Sequence, residues 1–450
     1  LHNIIIHSVL RERGDFKGDK AFLRNSISEK KINFFKLFKH EQFERNDWSK
    51  EHKYQNLIAN SLRNFQMPFH VPNLPNIALS SDKFLGSVHY TLSPQIILLY
   101  YFNSGIFSIL NLFLMFTFGF IGCLLIKNYF KLNSLSFFLL FIIFNFNGYW
   151  VEKYSNYGAG QLGYYCLPYV FYFLIRLSGI ENRDTQREYY WSILTGLFLS
   201  LILLQGSLHL YVEMITFLIF WSIVNVKFWK ASLLIYITTF STSFMRLFPA
   251  MLSYGMGPNP HALEHGWGGY PLDLEMFISA FVSITKYFDY PGSAHEFSLY
   301  ISMPGFLLLI YFGVWASLVN DPWRKFHQWK SFVIPCILIS VISFHKIKFF
   351  ILPNFIPLLN AESMTTRYMI IPLIFILIIA VINFQGFIEK FFSIAKIKFV
   401  SYFLVITTAL FLFNHSRVWR NHRQENVQEW ASIFDPTINE GMEGHIAIDL

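Results

Sequence analysis

The sequence predicts an all-α polytopic membrane protein with about ten transmembrane helices. Three observations carry this. Hydrophobic residues make up 54% of the 450 positions and charged residues only 14%, where a soluble domain has about a quarter charged. Phe alone accounts for 52 residues and the mean hydropathy is +0.38, more apolar material than so few charges enclose in a water-soluble globule. Apolar runs also recur at the length a helix needs to cross the hydrocarbon core, roughly 20 residues. A disordered tail, a disulfide scaffold and an ordinary cytosolic enzyme are excluded at this step.

The stretch 1–104 is polar, with amphipathic helix patterns, and its apolar piece 94–102 is too short to span. The first run, 105–127, is apolar up to Lys127, and 134–150 follows a loop holding Lys131. The run 161–177 ends at Arg176, and 190–205 comes after Arg183 and Arg187. Next, 208–226 ends at Lys227 and 231–250 begins after Lys230. The run 298–319 precedes Arg324 and Lys325, and 331–346 follows Lys330. Finally 368–385 ends before Lys390, and 397–414 begins beside Lys396 and Lys398. If all are spans, every basic loop falls on one side, which the positive-inside rule makes cytoplasmic. The segment 1–104, the long loops near 250–297 and 347–367, and the tail 415–450 then lie outside, around a helical domain over 105–414. So do the short loops 150–160 and 205–208. The net charge of +8 reads as a topology signal, with no nucleic-acid partner implied. Elaborate loops on one face point to a site assembled there.

The three cysteines, Cys123, Cys166 and Cys336, lie far apart inside apolar runs with no metal spacing, and read as small core residues. A start at Leu1 without a signal-like apolar stretch leads us to expect a missing preceding segment, and the tail to be cut short of a further domain.

The segment Asn46 to Pro94 combines a lone Asp47, an amphipathic pattern (Leu57, Ile58, Leu62, Phe65) and the rigid turn Met67-Pro68-Phe69-His70-Val71-Pro72. It resembles the first outer loop of YfhO-type bacterial integral membrane glycosyltransferases of the GT-C superfamily. That loop has an acidic residue, a helix, a "G-x-L-P-L-W-N-P" turn and an end "N-P-Q-S … Y-P". Pro68 and Pro72 fit the two prolines, and Phe84-Leu85-Gly86-Ser87 through Pro94 fits the loop end. Asp47 stands where the acid falls, while His70-Val71 replaces the usual Trp-Asn. Later, Gln205-Gly206-Ser207-Leu208-His209 resembles the "G-H-P-Q" turn through Gly206. Phe297 to Gly305 resembles the "Y-I-G" start of a later span. Ala361 to Tyr368 resembles "F-R-x-P-x-R-F", keeping its second Arg as Arg367. The resemblance covers most of 45–385.

It implies transfer of a sugar from a polyprenyl-phosphate carrier to a glycan, lipid or protein acceptor, at the outer face of the bacterial plasma membrane. A carboxylate near the acceptor hydroxyl takes its proton as the bond forms, and Asp47 is the expected base. An Arg at the outer end of a helix holds the anionic lipid phosphate by paired charge-assisted bonds. Arg367 fits this role, and Arg246 is a second candidate. Glu152 beside Trp150 and Tyr154, together with Asp82 and His209, is expected to line the substrate site. A divalent metal ion is possible as cofactor, with no protein ligand assigned.

His261-Ala262-Leu263-Glu264-His265 matches the H-x-x-E-H zinc pattern. Gly and Pro on both sides leave barely one helical turn, and no third ligand follows. An outer loop, one able to close over the site, is the better reading. No P-loop or GxGxxG occurs, which argues against a nucleotide-sugar enzyme of the cytoplasmic type, and no G-x-S-x-G nucleophile elbow is present. Two other classes stay open: a transporter or flippase of a lipid-linked saccharide, and a non-catalytic subunit of a membrane complex.

Overall fold

The computed structural model describes residues 55–56, 58–65, 92–180, 184–254, 274–283, 298–319, 329–343, 365–391 and 395–433. Asp47, Asp82, the turn at Pro68, and His261 to His265 lie outside these residues. The described chain is almost wholly helical and contains no strand.

The helices follow the apolar runs. They are α1 Ser104–Phe130, α2 Ser134–Phe146, α3 Gly148–Tyr157, α4 Leu167–Ser178, α5 Thr185–Leu204, α6 Leu208–Val224, α7 Trp229–Tyr254 and α8 Leu274–Val282. Then α9 starts as Met303–Leu308 and passes through the π-helical turn Leu309–Trp315 to residue 319. The last three are α10 Lys330–Ile342, α11 Ile370–Phe391 and α12 Ala395–Ile433. A 3-10 segment, Gly158–Cys166, joins α3 to α4, and a 3-10 turn, Thr365–Met369, leads into α11.

Among the described residues, five stretches are long and apolar enough to cross a membrane: Ser104–Phe130, Ser134–Tyr154, Val226–Phe248, Arg367–Phe391 and Ala395–Val418. Leu208–Val224, Met303–Trp315 and Ser331–Ile342 are apolar but shorter. The protein is an all-α membrane protein. Its outward-facing Phe, Ile and Leu residues, such as Phe113, Leu233, Phe399 and Leu410, suit contact with lipid.

Local chemistry sets the helix starts. The Asn103 side chain accepts from Ile106 N at 2.9 Å, and Asn133 accepts from Ser136 N at 2.9 Å. Asp184 caps α5 by accepting from Arg187 N at 3.2 Å. Each satisfies a backbone donor that the first helical turn leaves without a partner. Gly206, at φ 85°, makes the tight turn between α5 and α6, where a side chain would be strained.

Two departures from the apolar reading matter. The run expected to span over 298–319 has no regular secondary structure over 298–302, and its helix begins only at Met303, capped by Ser302 Oγ. Phe-Ser-Leu-Tyr-Ile-Ser is apolar, and apolarity alone does not separate an extended segment from a helix. Its backbone bonds elsewhere. Leu299 N donates to Ala280 O at 3.0 Å, Ile301 N donates to Phe281 O at 2.9 Å, and Tyr300 O accepts from Gly148 N at 2.8 Å. A Cβ at Gly148 would lie 2.5 Å from Tyr300 N, so the close approach requires glycine. Second, Phe65 of the amphipathic pattern is exposed, although Ile58 is buried and Leu62 packs against the core.

Candidate functional site

The helices define two ends. At one end, Asn133 N donates to Gln385 Oε1 at 2.9 Å and Gln385 Nε2 donates to Lys131 O at 3.0 Å, joining the α1–α2 turn to α11. Arg176 covers the Tyr129 and Trp191 rings at 5.2 and 4.9 Å. Phe130 stacks on Trp329 at 5.9 Å, and Asn225 Nδ2 donates to Ser331 O at 2.8 Å. This is the end that carries the basic loops.

The opposite end is built from buried polar groups. Gln205 Nε2 donates to Gln95 Oε1 at 2.9 Å, and Gln95 Nε2 donates to Asn111 Oδ1 at 2.8 Å. Ser207 Oγ accepts from Gly163 N at 3.0 Å and donates to Gly160 O at 2.7 Å, which holds the 3-10 segment against the α5–α6 turn. Asn147 Nδ2 donates to the Tyr164 hydroxyl at 2.9 Å, and that hydroxyl donates to Phe144 O at 2.7 Å. Trp150 stacks on Tyr164 at 5.5 Å and lies 5.0 Å from Tyr154.

Of the Asp, Glu, Lys, Arg and His side chains among the described residues, six are buried: Glu152, Lys153, Glu213, Arg246, Arg367 and His415. All six fall in the half of the protein away from the basic loops. Burying an ionised group is costly unless it is paired and hydrogen-bonded. Glu152 meets His415, with Oε1 and Nε2 2.9 Å apart and both side chains fully enclosed. Tyr300 stacks on the His415 ring at 4.3 Å, with planes 18° apart. Lys153 Nζ lies 4.1 Å over the Tyr149 ring. Helix α6, which carries Glu213, packs against both α7 and the Thr365–Met369 turn, the elements that carry Arg246 and Arg367.

Of the residues expected from sequence, Glu152, Arg246 and Arg367 are thus buried at one end. His209 stands exposed on the first turn of α6, outside this interior. Asp47 and Asp82 lie outside the described residues. Sequence reasoning missed His415 and Glu213. His415 was assigned to an outer tail, and Glu213 was hidden in the apolar run Leu208 to Phe220. A lone carboxyl inside such a run is itself a signal, because ionisable residues at membrane depth are rare and face the protein interior.

The site has no evident metal centre: among the described residues no three His, Cys, Asp or Glu side chains group as a metal would need. The cysteines are free and buried. Comparison with family models, with curated proteins and with solved structures finds nothing that matches this chain.

Proposed function

We propose that this chain is a membrane glycosyltransferase of GT-C type with about ten spans, acting in a bacterial plasma membrane. It moves a sugar from a polyprenyl-phosphate donor to a glycan, lipid or protein acceptor at the extracytoplasmic face. One observation carries the reading. Acidic and basic side chains are buried together at one end of an otherwise apolar helical bundle, opposite the basic loops. A lipid-linked sugar phosphate needs this combination, with apolar walls for the carrier, cations for the phosphate and carboxylates for the hydroxyls. In this reading Arg367 and Arg246 hold the donor phosphate, because a guanidinium pairs with phosphate oxygens by two parallel bonds. Glu152, with Trp150 and Tyr154, lines the sugar, and Asp47 is the base that the resemblance implies.

The test is transfer of labelled sugar from a polyprenyl-phosphate sugar by the purified protein in lipid nanodiscs. Transfer that Arg367→Met abolishes in a folded protein supports the reading, and no transfer to any acceptor class overturns it. Full transfer by Asp47→Asn removes Asp47 from the base role. Chelation in the same assay reads any dependence on a divalent ion.

One observation favours a second reading. Glu213 is buried inside an apolar helix, as in proton- or ion-coupled carriers. A lipid-linked saccharide flippase would move the donor across vesicles without transferring its sugar.

A further inference from the structure

Glu152 and His415 come from helices far apart in sequence, α3 and α12, and meet at 2.9 Å. An ionised carboxylate only accepts hydrogen bonds, so the shared proton sits on Nε2 and Nδ1 is the free ring nitrogen. Nδ1 is buried, and no described residue bonds it. A buried polar atom without a partner is rare in folded proteins and calls for a role. Tyr300, stacked on the ring, fixes its plane. Of the elements packed against α12, α3 brings Glu152, Lys153 and the Tyr149 and Tyr154 phenols, while α2 and the Met303–Leu308 turn of α9 bring no titratable group. On α11, Glu389 and Lys390 lie at the basic end. A carboxylate, an imidazole and a far ring nitrogen left unbonded, in that order, form the arrangement of a general base held by an orienting acid.

We propose that His415 and Glu152 form an acid–base dyad in which His415 Nδ1 takes the proton of the acceptor hydroxyl. This rests on the glycosyl-transfer reading and gives His415 the proton that the resemblance gives Asp47. In the step, the hydroxyl oxygen bonds the anomeric carbon and the bond from that carbon to the phosphate oxygen breaks. The phosphate leaves with the electron pair. The hydroxyl proton moves to Nδ1, the resulting imidazolium is held by Glu152, and the proton later passes to water.

The experiment compares wild type, His415→Gln, Glu152→Gln and Asp47→Asn in the nanodisc transfer assay. Gln at 415 keeps an N–H for Glu152 where Nε2 stood and lacks a second ring nitrogen, so the helix contact survives and a melting curve verifies it. General-base removal costs roughly 100-fold or more in kcat, so His415→Gln loses that much with KM for the donor nearly unchanged. The acid limb of the wild-type pH profile disappears in His415→Gln, shifts in Glu152→Gln and persists in Asp47→Asn. Added imidazole restores rate to His415→Ala. A His415→Gln protein near the wild-type rate, or one that is slower with an unchanged pH profile, overturns the proposal. A wild-type protein that transfers no sugar overturns the transfer reading and the hydroxyl's part in it. Nitrogen NMR of histidine-labelled protein then decides the dyad alone. An Nε2-protonated tautomer that responds to Glu152→Gln upholds it, and a ring indifferent to that change overturns it.

Discussion

The two ends of the bundle handle charge in opposite ways. At the basic end Lys131, Lys227, Lys230 and Lys390 are exposed and Lys127 and Arg176 are half-buried. Several rest on aromatic faces, with Lys127 over Phe137 at 5.0 Å, Lys227 over Phe228 at 4.7 Å and Lys390 over Phe391 at 5.5 Å. Their stems lie along apolar surface while their charged heads reach water. At the polar end Glu152, Lys153, Glu213, Arg246, Arg367 and His415 are enclosed, while Arg63 and Arg417 stand exposed. The first arrangement costs little and suits orientation of the chain. The second carries a desolvation cost that only close pairing or work on a ligand offsets. The difference separates charge kept in contact with water from charge held inside the protein.

Four substitutions break or sharpen this contrast. Glu152→Ala strips His415 of its partner. A buried N–H left without its acceptor costs about 1–3 kcal/mol and the space the carboxyl vacates adds to it, so thermal unfolding in detergent should show the largest loss of any change here. Stability unchanged within error would mean that the pair is not enclosed in solution. Gln205→Ala breaks the reciprocal amide contact with Gln95. Leaving a buried amide unsatisfied costs about 1–3 kcal/mol, read in the same melt. Gly163→Ala would put a Cβ 2.5 Å from Ser207 Oγ and 2.8 Å from Ile202 O. Overpacking of this kind costs about 1–3 kcal/mol, and protease sensitivity at the α5–α6 turn should rise. At the other end, Arg176→Ala removes a cation stacked on Tyr129 and Trp191. The expected loss is only about 0.5–1 kcal/mol. An Arg176→Ala protein as damaged as Glu152→Ala would erase the distinction between the ends.

The helices were legible because a lipid-facing helix has to be apolar over its length, so α1, α2, α7, α11 and α12 announce themselves. The apolar run does not mark where a helix ends. It stops near residue 414, but α12 continues to Ile433, because hydropathy measures membrane depth while the backbone ladder follows helix propensity. His415 therefore fell just past the reading. Glu213 was lost for the opposite reason, since a single carboxyl barely lowers the apolarity of its run. The sequence shows Glu152 beside Trp150 and Tyr154 but not its burial, because its partner lies 263 residues downstream. Long-range pairing of this kind leaves no local trace in sequence. Arg246 and Arg367 could be picked out because an Arg at the end of an apolar run stands out.

The pairing of Glu152 with His415 also has a timetable. Synthesis at ~5–20 residues per second separates the two by on the order of 10–50 s, given the 263 residues between them. During that interval the carboxyl has no imidazole and must stay hydrated or carry a proton. Helix α3 gains this contact only when α12 arrives, so this part of the polar end is completed after the other described helices are made.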